Sequence, residues 1–328
     1  MDDKVKVQDV DPQSSWLLKR HFNHNAKYAR FGDAGSCQLM AYKEDAENFK
    51  NMVIRPDDVW VATFPRSGTT WTQEIVWLLM NNFDFDKATK TPLHNRYMFL
   101  EIQHTRCPET VQNMDPEILK KAMEYVKTYE DAVAAPSPRF FKTHLPFSLL
   151  PSNLVDTAKV VYVARDPRDV AVSYYHHTKL FWKYTGDFKS YWNLFLNDLV
   201  IWAPFLPHVK EAWALRHHPN LLFIFYEDMR RDLPSNVKLI ADFLGKEATE
   251  EQIMKLCDHV DIKNFKKNES VNPSWMTKMN GTVENNNNFI REGKTGGWRE
   301  HFDEEMTAQA ERWLRENLAD SDLRFPEV

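Results

Sequence analysis

The segment from residue 59 to residue 80, VWVATFPRSGTTWTQEIVWLLM, limits the possible folds of this chain more than any other. It predicts a strand, a tight turn and a helix, because β-forming residues alternate up to Thr63, Pro65 cannot continue a strand, and apolar residues at helical spacing follow. Gly68 allows the sharp turn at which the helix begins. The first amide groups of that helix carry partial positive charge, so the turn predicts a site for an anion.

The side chains of the turn favour the same interpretation. Ser67, Thr69 and Thr70 supply hydroxyl donors, and Arg66 supplies a planar cation suited to a phosphate or sulfate. An ordinary buried strand, turn and helix is the alternative. The concentration of one cation and three hydroxyl groups in a single turn argues against it.

Composition limits the function classes. The net charge of this 328-residue chain is -5, so no general basic field for nucleic acid exists and any polyanion site must be local. Three cysteines, Cys37, Cys107 and Cys257, are odd in number and far apart, which argues against a disulfide framework and indicates no metal site. We expect a reducing compartment. The polar N-terminus and the lack of a long apolar run predict neither a signal peptide nor a membrane span, so we expect a cytoplasmic protein.

Several segments outside the turn have weaker patterns. Residues 1–58 predict a loosely structured lead-in packed on the core, and residues 59–328 predict the single globular domain. Residues 81–114 contain scattered aromatic residues and predict loops that could wall an apolar cavity. A helix should begin at Asp115, followed by Pro116 at its first position, and end by Ala135.

Three further apolar strands are predicted, at residues 139–143, 159–164 and 220–226. Helical stretches separate them, and apolar runs of this kind are typical of strands buried on both faces. The predicted fold is therefore α/β, a single domain with a central, mostly parallel sheet flanked by helices and a P-loop-like strand, turn and helix. Ligands of such sheets bind at the carboxyl ends of the strands.

Chemically active residues follow these strands. Lys142 and His144 end one strand, and Arg165 ends the next, with Ser173 eight residues later. A fourth cluster, from Arg291 to Arg299, combines glycines with cations and an aromatic residue, which suits a lid over a phosphate. Each feature alone has a structural alternative. Arg165 with the following aspartate could be a local salt bridge or helix cap, and the pair His176 and His177 is interpreted as surface or packing histidines.

The residues also resemble a known family, the cytosolic sulfotransferases. TFPRSGTTW resembles the family's TYPKSGTTW loop for the 5′-phosphosulfate, and YVARDPRDVAVSYYH resembles its segment for the 3′-phosphate. FKTHLP and FYEDM match as well, and IREGKTGGWR resembles the family's RKGxxGDWK segment. These landmarks occur in family order over residues 59–299. The run from HFDEEM onwards resembles the insect members, a group that includes retinol dehydratase.

This resemblance implies transfer of a sulfuryl group from 3′-phosphoadenosine-5′-phosphosulfate (PAPS) to a hydroxyl or amine. It implies that His144 is the general base, that Lys142 stabilises the transferring group and that Arg66 assists the leaving group. The roles implied for nucleotide binding fall to Arg66, Ser67, Gly68, Thr69 and Thr70 at the 5′-phosphosulfate, Trp71 and Tyr226 at the base, and Arg165, Ser173, Arg291, Glu292 and Gly293 at or beside the 3′-phosphate. No metal is implied. Aromatic residues at 83–99, at Phe147 and at 181–184 predict an apolar pocket for a small, hydrophobic acceptor such as a phenol, sterol-like or isoprenoid alcohol, and a simple core role is the alternative.

Departures from the family pattern affect particular positions. Arg66 stands where most members have lysine, Glu292 replaces the lysine of RKG, and Gly297 replaces the aspartate of GDWK. The negative charge of Glu292 is expected beside the 3′-phosphate. The KxxxTVxxxE dimer segment of vertebrate members is absent after Trp298, which leaves monomer and dimer open.

Three alternative functions remain at this point. A nucleoside triphosphatase or kinase is disfavoured because the loop lacks the GxxxxGK[ST] pattern. An inactive nucleotide-binding scaffold is suggested by Arg66 and Glu292, although Lys142 and His144 argue against it. A retinol dehydratase-like enzyme, in which elimination follows sulfation, shares the first step with ordinary sulfation and the motifs do not separate the two.

Overall fold

The computed structural model describes residues 4–22, 25–105, 114–278 and 289–327. Cys107 and the asparagine run at residues 285–288, which predicts a mobile loop, lie outside the described residues.

The N-terminal segment forms a small antiparallel sheet, so the expectation of a loosely structured lead-in is wrong. Its strands are β1 (Val7–Asp9), β2 (Tyr28–Phe31) and β3 (Ser36–Leu39), in that spatial order. Backbone hydrogen bonds fix β3 to a later loop: the amide of Cys37 donates to the carbonyl of Ala203 at 2.6 Å, and the amide of Trp202 donates to the carbonyl of Cys37 at 2.7 Å. These long-range bonds are not readable from local sequence.

The central sheet has four parallel strands in the order β5-β4-β6-β7. They are β4 (Val59–Thr63), β5 (Phe140–Thr143), β6 (Lys159–Ala164) and β7 (Leu221–Phe225). The register pairs Ala62 of β4 with Thr143 of β5 and with Tyr162 of β6, so the three strands end at nearly the same level. The predicted fold class is confirmed, and the loops that follow all four strands meet at one edge.

Both faces of the central sheet are buried. On one face Trp60, Ala62 and Tyr162 belong to the hydrophobic cluster that also contains the N-terminal sheet, while Val61 and Val163 face a second cluster with the helix that follows β4. Successive residues of a strand point to opposite faces, so continuous apolar strands require cover on both sides.

Helices supply that cover. The helices of the described residues are Pro12–His21, Ala46–Lys50, Thr69–Met80, Phe85–Lys90, Leu93–Arg96, Pro116–Glu124, Tyr129–Ala134, Leu154–Thr157, Pro167–Trp182, Phe188–Leu196, Phe205–Ala214, Tyr226–Arg231, Leu233–Leu244, Glu250–His259, Ile262–Lys267 and Glu304–Asn317. Short 3₁₀ helices occupy Met40–Glu44, Leu100–Thr105, Phe147–Leu149, Ser274–Lys278 and Gly297–Glu300. Within the described ranges, none of these helices is long and apolar enough to cross a membrane.

Two local predictions differ from the structure. The segment that follows Met80 contains short helices as well as loops. The helix predicted to run from Asp115 to Ala135 is two helices, because a capping box starts the second one: the amide of Asp131 donates to the hydroxyl of Thr128 at 3.2 Å, and the amide of Thr128 donates to the Asp131 carboxylate at 2.8 Å. Asp115 does cap the first helix, as predicted.

Candidate active site

The turn after β4 forms an open cradle at the start of the helix Thr69–Met80. Gly68 has a φ of 108°, in the left-handed region, and an added Cβ would lie 2.8 Å from Cδ2 of Tyr226. Only glycine therefore fits this position without displacing the tyrosine ring. The buried hydroxyl of Ser67 has no hydrogen-bond partner among the described residues, while the Thr69 hydroxyl lies 2.7 Å from that of Thr63.

Arg66 connects this turn to two other parts of the site. Its Nε donates to the Ser173 hydroxyl at 3.1 Å, and its Nη2 donates to the Phe289 carbonyl at 2.8 Å. Burial, together with the nearby cations Arg165 and Arg291, lowers the pKa of Arg66 to about 9. Arg66 is thus still a cation at neutral pH. The three arginines repel one another, so an anion bound between them is favoured.

Arg165 is free for the site because Asp166 has another partner. The Asp166 carboxylate caps the helix Pro167–Trp182 and pairs with Arg168, so a salt bridge of Arg165 with its neighbour is not formed. Arg165 donates instead to the carbonyls of Arg66 at 3.1 Å and Lys294 at 2.8 Å, and its guanidinium lies 4.4 Å from the centroid of the Tyr226 ring.

The glycine-rich segment near the C-terminus is held over this edge by Asp169. The Asp169 carboxylate accepts hydrogen bonds from the amides of Gly296 at 2.7 Å and Trp298 at 2.9 Å. Sequence reasoning missed this residue, although it lies within the RDPRD run. Glu292 is half exposed and pairs with Lys294 at 3.1 Å, so its expected negative charge is offset locally.

Lys142 and His144 end β5 and lie beside the cradle. The Nδ1 of His144 lies 2.8 Å from the carbonyl oxygen of Thr63. A carbonyl can only accept, so Nδ1 carries the proton and Nε2 has a free lone pair. Burial, reinforced by the charge of Lys142, lowers the pKa of His144 well below its ordinary value, which keeps the ring neutral.

The Lys142 ammonium lies in the cavity wall, against an aromatic ring. It sits 4.0 Å from the centroid of the Phe99 ring, and burial lowers its pKa to about 8 despite the opposing charge of Glu101. Glu101 is 3% exposed and its Oε1 accepts from the His144 amide at 2.6 Å and the Thr143 hydroxyl at 2.9 Å. Sequence patterns gave no signal for Glu101, which holds the end of β5 in place.

A second buried histidine fixes the backbone of His144. The His208 Nε2 donates to the His144 carbonyl at 3.0 Å, which requires its Nδ1 to accept from the Tyr162 hydroxyl at 2.7 Å. His208 lies on the helix Phe205–Ala214, so this contact depends on tertiary packing and not on a motif.

One cavity of about 310 Å³ joins these elements. Every predicted site residue lines it except Ser67, which is fully buried beneath the turn. The residues that line it are Arg66, Gly68, Thr69, Thr70, Trp71, Lys142, His144, Arg165, Ser173, Tyr226, Arg291, Glu292 and Gly293. Trp71 meets Tyr226 edge to face at 5.6 Å, and its indole nitrogen donates to the Val260 carbonyl at 3.0 Å.

The remainder of the cavity wall is mainly aromatic and apolar. Phe99 and Phe181 were among the residues expected there, whereas Phe83, Phe85, Tyr97 and Phe147 do not line this cavity. Further aromatic residues that the sequence did not single out line it, namely Trp202, Trp275 and Phe289. Among the described residues, no group of three or more His, Cys, Asp and Glu side chains is placed to hold a metal ion.

Three residues of the helix Pro167–Trp182, each four positions after the last, face the site. Asp169 holds the glycine-rich segment, Ser173 contacts Arg66, and His177 lines the aromatic part of the cavity. Residues four apart lie on one face of a helix, so a single face serves all three regions.

Comparison with known proteins identifies the family. The family described as "Sulfotransferase domain" matches residues 56–322. The luciferin sulfotransferase of Photinus pyralis is 31% identical over 97% of this chain and 87% of its own. A structure of retinol dehydratase in complex with androsterone and inactive cofactor PAP is 42% identical, covers 99% of both chains and superposes with a TM-score of 0.92. A second structure, retinol dehydratase in a complex with retinol and PAP, is also 42% identical, with a TM-score of 0.91 over 98% of this chain and 99% of that one. The chain therefore belongs to the sulfotransferase family, as its motifs predict, and is an enzyme that transfers sulfuryl groups.

Proposed function

We propose that this enzyme transfers a sulfuryl group from PAPS to the hydroxyl of a small hydrophobic acceptor, with His144 as the general base. One observation carries the proposal. His144 and Lys142 lie at the junction of two parts of one cavity, because His144 contacts the Thr63 carbonyl at the start of the cationic cradle, while His144 and Lys142 contact Trp202 and Phe99 of the aromatic chamber. The retinol dehydratase complexes contain PAP, which supports the choice of donor.

The cradle fits a nucleotide with two separate anionic groups. Arg66, Arg165 and Arg291 form no ion pair within 4.0 Å with a carboxylate of the described residues. The Ser67 hydroxyl and the Nε of Arg165 are buried and lack hydrogen-bond partners within the same ranges. Unpaired buried donors and uncompensated cations are costly unless an anion binds, so these residues suit phosphate and sulfate groups.

We assign the nucleotide contacts by position. Arg66 to Thr70 hold the 5′-phosphosulfate with side chains and helix amides, and Trp71 and Tyr226 contact the base. The 3′-phosphate is bound by Arg165, Ser173, Arg291 and Gly293, which line the same cavity outside the turn. Glu292 lies beside that phosphate, where its ion pair with Lys294 limits repulsion.

The reaction depends on two side chains at the junction. The bound nucleotide supplies the sulfuryl group. His144 accepts the proton of the acceptor hydroxyl at Nε2, because its Nδ1 proton is held by the Thr63 carbonyl. Lys142 provides positive charge in a buried place where negative charge develops during transfer, and its location in low-dielectric surroundings strengthens that effect.

The acceptor is a phenol or alcohol with a large apolar body. Phe99, Phe181, Trp182, Trp202 and Phe289 surround the chamber. The acidic side chains among the described residues of the cavity wall are engaged elsewhere, Asp169 with the glycine-rich segment and Glu292 and Glu300 with Lys294, so they do not favour an amine acceptor. The retinol dehydratase structures contain androsterone and retinol, both hydrophobic alcohols, which supports this class.

A second candidate, sulfation followed by elimination, is favoured by the 42% identity with retinol dehydratase. Transfer of radiolabelled sulfate to phenols, steroid alcohols and retinol, with mass detection of sulfated and dehydrated products, separates the two functions. A dehydrated product from retinol supports elimination. PAP binding without any product would instead favour an inactive scaffold and contradict the proposal.

We propose further that the enzyme works without a metal and resides in the cytosol. The free thiols Cys37 and Cys257 support a reducing compartment. Full activity in the presence of a metal chelator and localisation of a fluorescent fusion test these two points. Monomer and dimer are both compatible with the site, which lies within one chain.

A further inference from the structure

His177 is a polar residue of the aromatic chamber that takes no part in the proposed reaction. It lies one helical turn beyond Ser173 and lines the cavity. Its ring centroid is 4.6 Å from that of Phe181, 5.3 Å from that of Trp182 and 6.1 Å from that of Phe289. A simple packing role would suit an apolar side chain better, because burying an imidazole costs free energy unless it is hydrogen-bonded.

The imidazole has unused hydrogen-bonding capacity. Its Nδ1 is buried without a partner among the described residues, and no hydrogen bond of Nε2 occurs there either. Burial lowers the pKa of His177 well below its ordinary value, and the nearby cations Arg66 and Lys142 act in the same direction. The ring is therefore neutral, with one donor and one acceptor nitrogen, which suits a hydroxyl or carbonyl group of a ligand.

The position of this ring relative to the base is defined by two indoles. The His144 ring lies 5.0 Å from Trp202, Trp202 lies 5.9 Å from Trp182, and Trp182 lies 5.3 Å from His177. All four residues line the cavity. A molecule whose reacting hydroxyl is at His144 thus lies along an apolar, aromatic wall, and His177 supplies a second hydrogen-bonding group at the other end of that wall.

We infer that His177 is a specificity residue that binds a second oxygen function of the acceptor. The preferred acceptor class is then a rigid apolar scaffold with the reacting hydroxyl at one end and a hydroxyl or carbonyl oxygen at the other. This inference rests on the proposed function for the placement of the reacting hydroxyl. It assigns a ligand contact to a residue that the sequence indicates only as a packing or surface histidine.

The test compares matched acceptors that differ only in the second oxygen. Three pairs cover increasing spacer length: naphthol with naphthalenediol, phenylphenol with biphenol, and deoxyestradiol, which lacks the alkyl hydroxyl, with estradiol. Transfer is measured as kcat/KM with radiolabelled donor. Binding is measured in parallel by quenching of tryptophan fluorescence in the presence of PAP, since Trp182 and Trp202 line the cavity.

The variants are His177→Phe, which keeps ring size but removes both nitrogens, and His177→Gln, which keeps a donor and an acceptor. His176→Phe is the matched control, because the neighbouring histidine does not line the cavity. For at least one spacer length, we expect the preference for the two-oxygen acceptor to fall about three- to tenfold in His177→Phe, the usual effect of one lost hydrogen bond. His177→Gln should restore part of it, and His176→Phe should leave it unchanged.

The outcomes separate this inference from the proposed function. If the wild-type enzyme transfers sulfate but His177→Phe keeps every preference, the inference is overturned while the function stands. If the two-oxygen acceptors bind better only when His177 is present, yet none is sulfated, the inference holds and the proposed function fails. Equal binding of both members of every pair to the wild-type enzyme would also overturn the inference. PAP affinity and thermal melting of each variant show that it is folded.

Discussion

Arg66 and Ser173, which lie 107 residues apart in sequence, are joined by a hydrogen bond of 3.1 Å from the arginine Nε to the serine hydroxyl. The same guanidinium donates to the Phe289 carbonyl at 2.8 Å. The arginine therefore connects the turn after β4, the helix Pro167–Trp182 and the segment before Arg291. Its planar fork makes two bonds in different directions, which a lysine ammonium on a flexible stem does less well.

Replacing Arg66 with lysine tests the most conspicuous departure from the family pattern. We expect transfer to be retained or improved, because a lysine acts as a compact point charge at this position. The affinity for PAP should fall about ten- to hundredfold, since one charge-assisted hydrogen bond is lost. Fixed-time assays of sulfate transfer measure the rate, and titration calorimetry measures the affinity for PAP. Arg231→Lys, at an exposed residue, is the control. Complete loss of turnover would show that arginine is specifically required.

The lowered pKa of His144 predicts how kcat/KM responds to acid. Because burial lowers that pKa well below the ordinary value of about 6.5, the base stays neutral as the pH falls through 6.5. The kcat/KM profile should therefore remain flat there and decline only at lower pH. A decline centred at pH 6.5 or above would contradict the assignment.

The variant His144→Ala tests the same base by removal. We expect transfer to decrease about 10²- to 10⁴-fold, the usual contribution of general base catalysis, while PAP binding changes little. His217→Ala, at an exposed histidine, serves as the control. Comparable activity of His144→Ala and wild type would refute the proposed role.

The charge of Glu101 affects how kcat/KM responds to alkali. Its charge raises the pKa of Lys142 against the larger effect of burial, so Glu101→Gln should lower that pKa further below about 8. If Lys142 acts as a cation, the alkaline limb of kcat/KM shifts to lower pH. Thr143→Val removes a hydrogen bond to the same carboxylate but keeps its charge, so it should leave the limb in place. Identical profiles for Glu101→Gln and wild type would mean that Glu101 only supports the fold.

Gly68 and Gly245 form a matched pair for testing the cradle. Both have positive φ, but a Cβ at Gly68 would meet Tyr226 at 2.8 Å, whereas at Gly245 nothing lies within 4 Å. Each alanine variant should lose about 1–2 kcal/mol of unfolding free energy from backbone strain. Only Gly68→Ala should also lose PAP affinity, because the turn or the tyrosine must move. Equal PAP affinity of both variants would argue that this turn does not bind the nucleotide.

Much of the fold was predictable because local chemistry and tertiary structure agree along the central sheet. The strand-turn-helix after Val59 is marked by β-formers, a proline and a glycine in succession, and the later strands are continuous apolar runs. The N-terminal sheet was missed because its stability depends on contacts with Trp202 and Ala203, far away in sequence.

The same distinction applies to the site. The predicted residues that follow the strands meet at one edge because parallel strands deliver their loops there. Glu101, Asp169 and His208 escaped notice because each acts on a backbone group of another element, and such a contact leaves no spacing pattern. The perturbed pKa of His144 was likewise inaccessible, since it depends on burial.

The spacing of Asp169, Ser173 and His177 on one helix face has a consequence for how this enzyme can diversify. Each is separated from the next by about one helical turn, or about 5 Å. If His177 contacts the acceptor as inferred, substitutions there alter which acceptor is used, while Asp169 and Ser173 are left unchanged on the donor side. New substrate ranges can therefore arise by single replacements along one helix, while the residues that bind the nucleotide stay the same.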